Sequence, residues 1–158
     1  MVDTGDEAPD FTAPLANGDV ETFTLSEHLD EAPIVLAFFP AAFTPTCTSE
    51  MCAFRDRMSK FEDIDATVYG VSVDLPYTLN EFREQHGLTF GLISDERREL
   101  IDAYGVVDSF SPGDIRVAKR SVFVVDGDGT VTYRWVGDTP KQEPEYDAVR
   151  EAAAEATT

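Results

Sequence analysis

The chain has 158 residues, 42% of them hydrophobic and 11% aromatic, enough for one globular domain whose core needs neither a disulfide scaffold nor a metal to fold. Its 12 basic and 31 acidic residues give a formal net charge of −19, which excludes nucleic-acid phosphates and an anionic membrane face as partners. Eleven Phe, five Tyr and one Trp set it apart from disordered acidic chains.

The first residues, MVDTGDEAPDF, have no basic region followed by an apolar stretch, so no secretory signal is expected and a cytoplasmic location is. No run approaches the ~20 apolar residues that span a bilayer. Pro33 to Phe39 (PIVLAFF) is a continuous apolar run, the mark of a strand buried on both faces, and Pro40 ends it. From about Thr46 to Glu62, Met51, Phe54, Met58 and Phe61 recur at spacings of three and four, which predicts an amphipathic helix. Ala66 to Val73 reads as the next buried strand and Leu75 to His86 as the next helix, stopped by Gly87. Phe90 to Ser94 is a third strand, followed by a short helix near Arg97 to Tyr104 that ends at Gly105. Ser121 to Val125 and Thr130 to Val136 flank Asp126-Gly127-Asp128-Gly129, a hairpin signal because Asp-Gly supplies the positive φ a tight turn needs. Glu143 to Ala156 reads as a terminal helix. The order β-α-β-α-β-α-β-β-α predicts an α/β fold of thioredoxin-like layout, a mixed central sheet flanked by helices, as one domain over residues 1–158. Gly70 and the Gly127/Gly129 pair are read as turns, not as phosphate-binding fingerprints.

Three lysines stand beside nine arginines, and the carboxylates are spread along the chain. Such a surface repels itself in dilute buffer and is tolerated where molar salt shrinks the Debye length to about 3 Å, so a halophilic protein is expected.

The two cysteines, Cys47 and Cys52, point to redox or catalytic chemistry in a compartment that keeps thiols reduced. His28 and His86 lie far from them in sequence, so zinc ligation is not supported and neither is expected as a general base. Cys47 falls after a strand and a Pro-containing loop, in the first turn of a predicted helix, where unpaired N–H groups and the helix dipole favour a thiolate. The same N–H groups can bind an incoming oxygen, with the Thr44 hydroxyl three residues earlier to position it.

The stretch FFPAAFTPTC contains Pro40-x-x-x-Thr44-x-x-Cys47, which resembles the active-site signature of the peroxiredoxins. GDEAPDFTAP near the start and RSVFVVDGDGTV extend the resemblance over nearly the whole chain. It implies a thiol peroxidase that reduces hydrogen peroxide or an alkyl hydroperoxide without metal or organic cofactor, sulfur being both nucleophile and electron source. Carried over by residue, Cys47 is the peroxidatic nucleophile, Thr44 bonds the peroxide, Pro40 shields the sulfur and Arg120 holds the thiolate and the polarised oxygens. Glu50 orients an arginine or is a plain solvent-facing carboxylate. Cys52 stands where the bacterioferritin-comigratory (Q-type) members often carry a resolving cysteine. On an intact helix, however, the two Cα atoms are roughly 8–9 Å apart, beyond disulfide reach, so the first turns must unwind in each cycle. AFFPAAFT and AKRSVFVVD are also similar to the one-cysteine alkyl hydroperoxide reductase E group, in which an external thiol reduces the enzyme. The partners implied are a peroxide, a thioredoxin-like or small thiol reductant, and a second copy of the chain meeting Phe43 beside the loop. A dithiol oxidoreductase, which uses closer cysteine spacing, and a silent thioredoxin-like binding protein are the rival readings.

Overall fold

We describe residues 2–156 of a computed structural model. The sequence places five apolar residues in a row at β3 (Ile34–Phe38), and all five side chains are buried, because the strand lies in the middle of the sheet. The N-terminal hairpin is β1 (Thr12–Ala16) and β2 (Val20–Thr24), and β4 (Thr67–Ser72), β5 (Leu92–Ser94), β8 (Ser121–Val125) and β9 (Val131–Val136) complete a mixed sheet of order β2-β1-β5-β4-β3-β8-β9. β3 runs parallel to β4 and antiparallel to β8.

Alternate side chains of β3 build two cores. Ile34, Leu36 and Phe38 face a layer that includes Phe23 and, from α4 (Glu99–Tyr104), Leu100, Ile101 and Tyr104. Val35, Ala37 and the following Phe39 face the opposite layer, formed by α1 (Pro45–Asp56), α2 (Met58–Glu62), α3 (Pro76–His86) and α5 (Tyr146–Glu155). Met51, Phe54 and Phe61, picked out by helical spacing, are fully buried there, each contributing about 1.5–3 kcal/mol of burial. This second layer carries Cys47.

The mixed sheet and its flanking helices agree with the sequence reading, with corrections at the edges. The single helix expected from Thr46 to Glu62 is two, because Arg57 takes φ −105° and ψ 5° and its N–H bonds Phe54 three residues back. The third strand keeps only Leu92–Ser94, α4 starts at Glu99 after a left-handed Arg98, and α5 starts at Tyr146 instead of Glu143. Two hairpins were not anticipated. β1 and β2 pair around Asn17-Gly18, whose turn signal was available, while β6 (Val107–Phe110) and β7 (Ile115–Ala118) form a separate two-stranded sheet around Pro112-Gly113. Gly70 is not a turn residue. It sits inside β4, where a Cβ would lie 2.6 Å from Leu92 Cδ2 and 3.1 Å from Met51 Sδ, so its bareness lets α1 approach the sheet.

Candidate active site

β3 ends at Phe38, and the register pairs Phe38 with Ser121, the first residue of β8. Arg120, one residue earlier, is thereby brought next to the loop that follows β3, although it is 73 residues from Cys47 in sequence. Along that loop Phe39 still bonds the Val71 carbonyl, Pro40 is buried, and the Ala42 N–H is held by Asp74 Oδ2 at 2.8 Å. Phe43 adopts a left-handed φ of 70°, and its half-exposed ring meets Phe82 edge to face. This bend aims the chain into α1, with Thr44 as N-cap and Pro45 in the first helical position, where the missing N–H costs nothing.

Cys47 is the third residue of α1 and only 1% exposed. The first i→i−4 bond of the helix runs from the Thr48 N–H to the Thr44 carbonyl at 2.9 Å. The N–H groups of Thr46 and Cys47 therefore precede the helical ladder and point toward the sulfur end of the helix. The Thr44 hydroxyl makes no capping bond. It donates to the Ala41 carbonyl at 2.7 Å, which leaves its lone pairs to accept a hydrogen bond from an O–H.

Arg120 Nη2 donates to Cys47 Sγ at 3.1 Å and to the Pro140 carbonyl at 2.8 Å, Nε donates to the same carbonyl at 3.1 Å, and Nη1 bonds Glu50 Oε1 at 2.5 Å. The guanidinium is thus fixed on three sides, a use of its planar fork that lysine does not offer. Arg120 is 3% exposed and Glu50 is fully buried, so the plain solvent-facing reading of Glu50 is overturned: one turn after Cys47, it lies on the same inward face of α1. Burial works against the Arg120 charge, but Glu50 and Cys47 outweigh it and raise its pKa above the ordinary value. Burial, opposed by Arg120, pushes the Glu50 carboxyl up to about 8, and Glu143 adds to the rise.

Thr44, Cys47, Glu50 and Arg120 are therefore gathered at one end of α1, and Pro40 is buried in the loop that leads into it. Cys52 is not among them: it is partly exposed, both thiols are free, and α1 is unbroken through both positions. His28 donates from Nδ1 to the Thr24 carbonyl and stacks on Phe23, and His86 packs on Phe82, so neither serves the site. Neither the Pro140 carbonyl nor Asp74 was foreseen, since a backbone acceptor has no residue signature and an aspartate after a strand is commonplace. Among the described residues no cluster of His, Cys, Asp and Glu suits a metal ion, and no helix is long and apolar enough to cross a membrane.

Known proteins resemble the chain in sequence and in fold. The model of the AhpC/TSA family matches residues 4–134. A Mycobacterium tuberculosis protein is 40% identical over 129 residues, covering 80% of each chain. Peroxiredoxin Bcp of Bacillus subtilis is 34% identical over 137 residues, covering 85% of each. The solved peroxidoxin BcpB of M. tuberculosis superposes with a TM-score of 0.85 at 30% identity, over 100% of this chain and 99% of that one.

Proposed function

Because the chain belongs to the AhpC/TSA family, and is therefore a peroxiredoxin and a thiol-dependent peroxidase, we propose that Cys47 is its peroxidatic sulfur and that hydrogen peroxide or an alkyl hydroperoxide is its oxidant. The observation that carries the assignment is the 3.1 Å contact from Arg120 to a sulfur at a helix N-terminus, a pairing that favours the thiolate. The thiolate attacks one peroxide oxygen, the O–O bond breaks, and Cys47 becomes a sulfenic acid as water or alcohol leaves. Thr44 accepts a hydrogen bond from the peroxide, the first-turn N–H groups and Arg120 bear the charge that develops on the oxygens, and Pro40 keeps water from the sulfur. Peroxide consumption, measured with a dithiol reductant, is expected to fall to the uncatalysed background in Cys47→Ser. Equal rates in the two proteins would overturn the assignment.

Cys52 then condenses with the sulfenic acid, which requires α1 to open over its first turns. An alternative has its own support: the helix, intact through both cysteines, favours reduction by an external thiol through a mixed disulfide, with no intramolecular one. Mass spectrometry after one equivalent of peroxide separates the two, a loss of two hydrogens with both thiols blocked marking Cys52 as resolver. The physiological reductant is proposed to be a thioredoxin-like or small thiol. Phe43, Leu75 and Tyr77 are 46%, 54% and 74% exposed; Phe43 packs on α3, and Leu75 and Tyr77 lie at its start. Such an apolar rim supports contact with a second copy of the chain. The proposed location is the cytoplasm, a compartment that keeps thiols such as Cys47 and Cys52 reduced.

A further inference from the structure

Two acidic groups, Cys47 and Glu50, share one cation. Both bond the same guanidinium, through Nη2 and Nη1, and all three side chains are nearly or wholly out of solvent. If both were anionic, the cluster would hold a net buried negative charge with a single cation to offset it, which is costly in a low dielectric. Glu50 carries a second sign of this conflict: its Oε2 is buried and has no hydrogen-bond partner among the described residues. A bare carboxylate oxygen there is far more expensive than a carboxylic acid, whose charge is absent. The other titratable groups that act on Glu50 point the same way. Glu143, on the loop before α5, repels its charge, and Tyr146 on α5 stays neutral, raised by its own burial and by its bond to Glu143.

We propose that Glu50 and Cys47 share a single proton across Arg120, with Glu50 standing as the neutral acid while Cys47 is the thiolate, and ionising once Cys47 is oxidised. The exchange converts Cys47-SH and Glu50-COO⁻ into Cys47-S⁻ and Glu50-COOH, moving one proton and no electrons. On oxidation the S–O bond forms and the O–O bond breaks. Sulfur loses two electrons, and the departing hydroxide or alkoxide takes up one proton. Glu50 loses one proton as the sulfur's charge disappears, and its carboxylate then has Arg120 to itself. The cluster keeps one anion against one cation throughout. Glu50 is thus a positioning residue that acts through Arg120, and no direct contact with peroxide is required of it. The inference rests on Cys47 being the peroxidatic thiol. It is unaffected by which thiol follows, because a disulfide leaves Cys47 equally uncharged.

The test is infrared difference spectroscopy of the reduced wild-type protein near pH 7, before and after one equivalent of hydrogen peroxide, with Cys47 oxidation followed by mass. Loss of a protonated-carboxyl C=O band and gain of a carboxylate band are expected, both absent in Glu50→Gln. In weak buffer with a pH indicator, the wild type should take up no net proton per sulfur oxidised, and Glu50→Gln about one. Oxidation of Cys47 without the band change would overturn the shared proton while leaving the peroxidase reading intact. Failure of Cys47 to oxidise would overturn that reading and this one with it. If Glu50→Gln does not fold, the wild-type spectrum decides alone.

Discussion

Each end of α1 brings together a cysteine, a carboxylate and an arginine. At the N-terminal end Cys47 and Glu50 meet Arg120; toward the C-terminal end Cys52, Arg55 and Asp56 follow one another. The first cluster is sealed, with side-chain exposures of 2% for Arg120 and 0% for Glu50. The second is wet, Arg55 and Asp56 being 34% and 62% exposed and 3.0 Å apart. Exposed pairs of this kind are screened and add little. Arg55 also clamps α1 to α3 by donating to the His86 carbonyl at 2.5 Å, so its evident work is structural. Similar groups thus meet in a sealed cluster at one end and a solvated one at the other, because burial multiplies every charge interaction and the helix N-terminus adds its unpaired N–H groups only at the first.

Substituting the two arginines tests that contrast most severely. Arg120→Gln should lower the rate of peroxide reduction roughly 10²–10³-fold, the usual cost of removing a donor from a charge-stabilising site, whereas Arg55→Gln should change it less than about threefold. Comparable losses in a stopped-flow peroxide assay would erase the distinction between the clusters. The cysteines come next: in Cys52→Ser the oxidised protein should stop at a sulfenic or sulfinic Cys47, with no intramolecular disulfide on non-reducing mass analysis. Retention of wild-type recycling by a dithiol would instead favour the one-cysteine cycle.

A subtler difference appears in the dependence of stability on pH. Because Glu50 is raised from 4.5 to about 8 in the folded chain, the native state binds more protons than the unfolded one between those values. Its contribution to stability is fully present below about 4.5 and declines as pH rises through 8. Urea unfolding from pH 5 to 9 should therefore show a steeper decline in the wild type than in Glu50→Gln, which lacks the titration; parallel curves would place no raised carboxyl there. Salt should act mainly on the exposed end and the surface around it. With a net charge of −19, the melting temperature is expected to rise by a few degrees between about 0.1 M and about 2 M KCl, while the buried Arg120 cluster is little screened. An unchanged melting temperature would remove the case for salt adaptation.

Much of the fold was legible from the chain. The run at β3 is apolar throughout, and those at β4 and β8 mostly so, because both faces of the central sheet are covered, and the spacing of Met51, Phe54 and Phe61 marked the inner face of the helical layer. The N-terminal hairpin was missed because Pro14 interrupts β1 and β2 is exposed over most of its length. The β6–β7 pair was missed because it lies off the main sheet and alternates poorly.

The sequence by itself determined which sulfur sits at the start of a helix, since a proline-bearing loop between an apolar run and an amphipathic stretch leaves few other conformations. It also marked Arg120 through the peroxiredoxin likeness of the strand that follows it. Only the tertiary structure decided that Glu50 is buried, that the Pro140 carbonyl fixes the guanidinium, and that one cation serves two acids. Those facts depend on the pairing of Phe38 with Ser121 and on the path of the loop before α5, long-range contacts to which no local pattern of residues is sensitive.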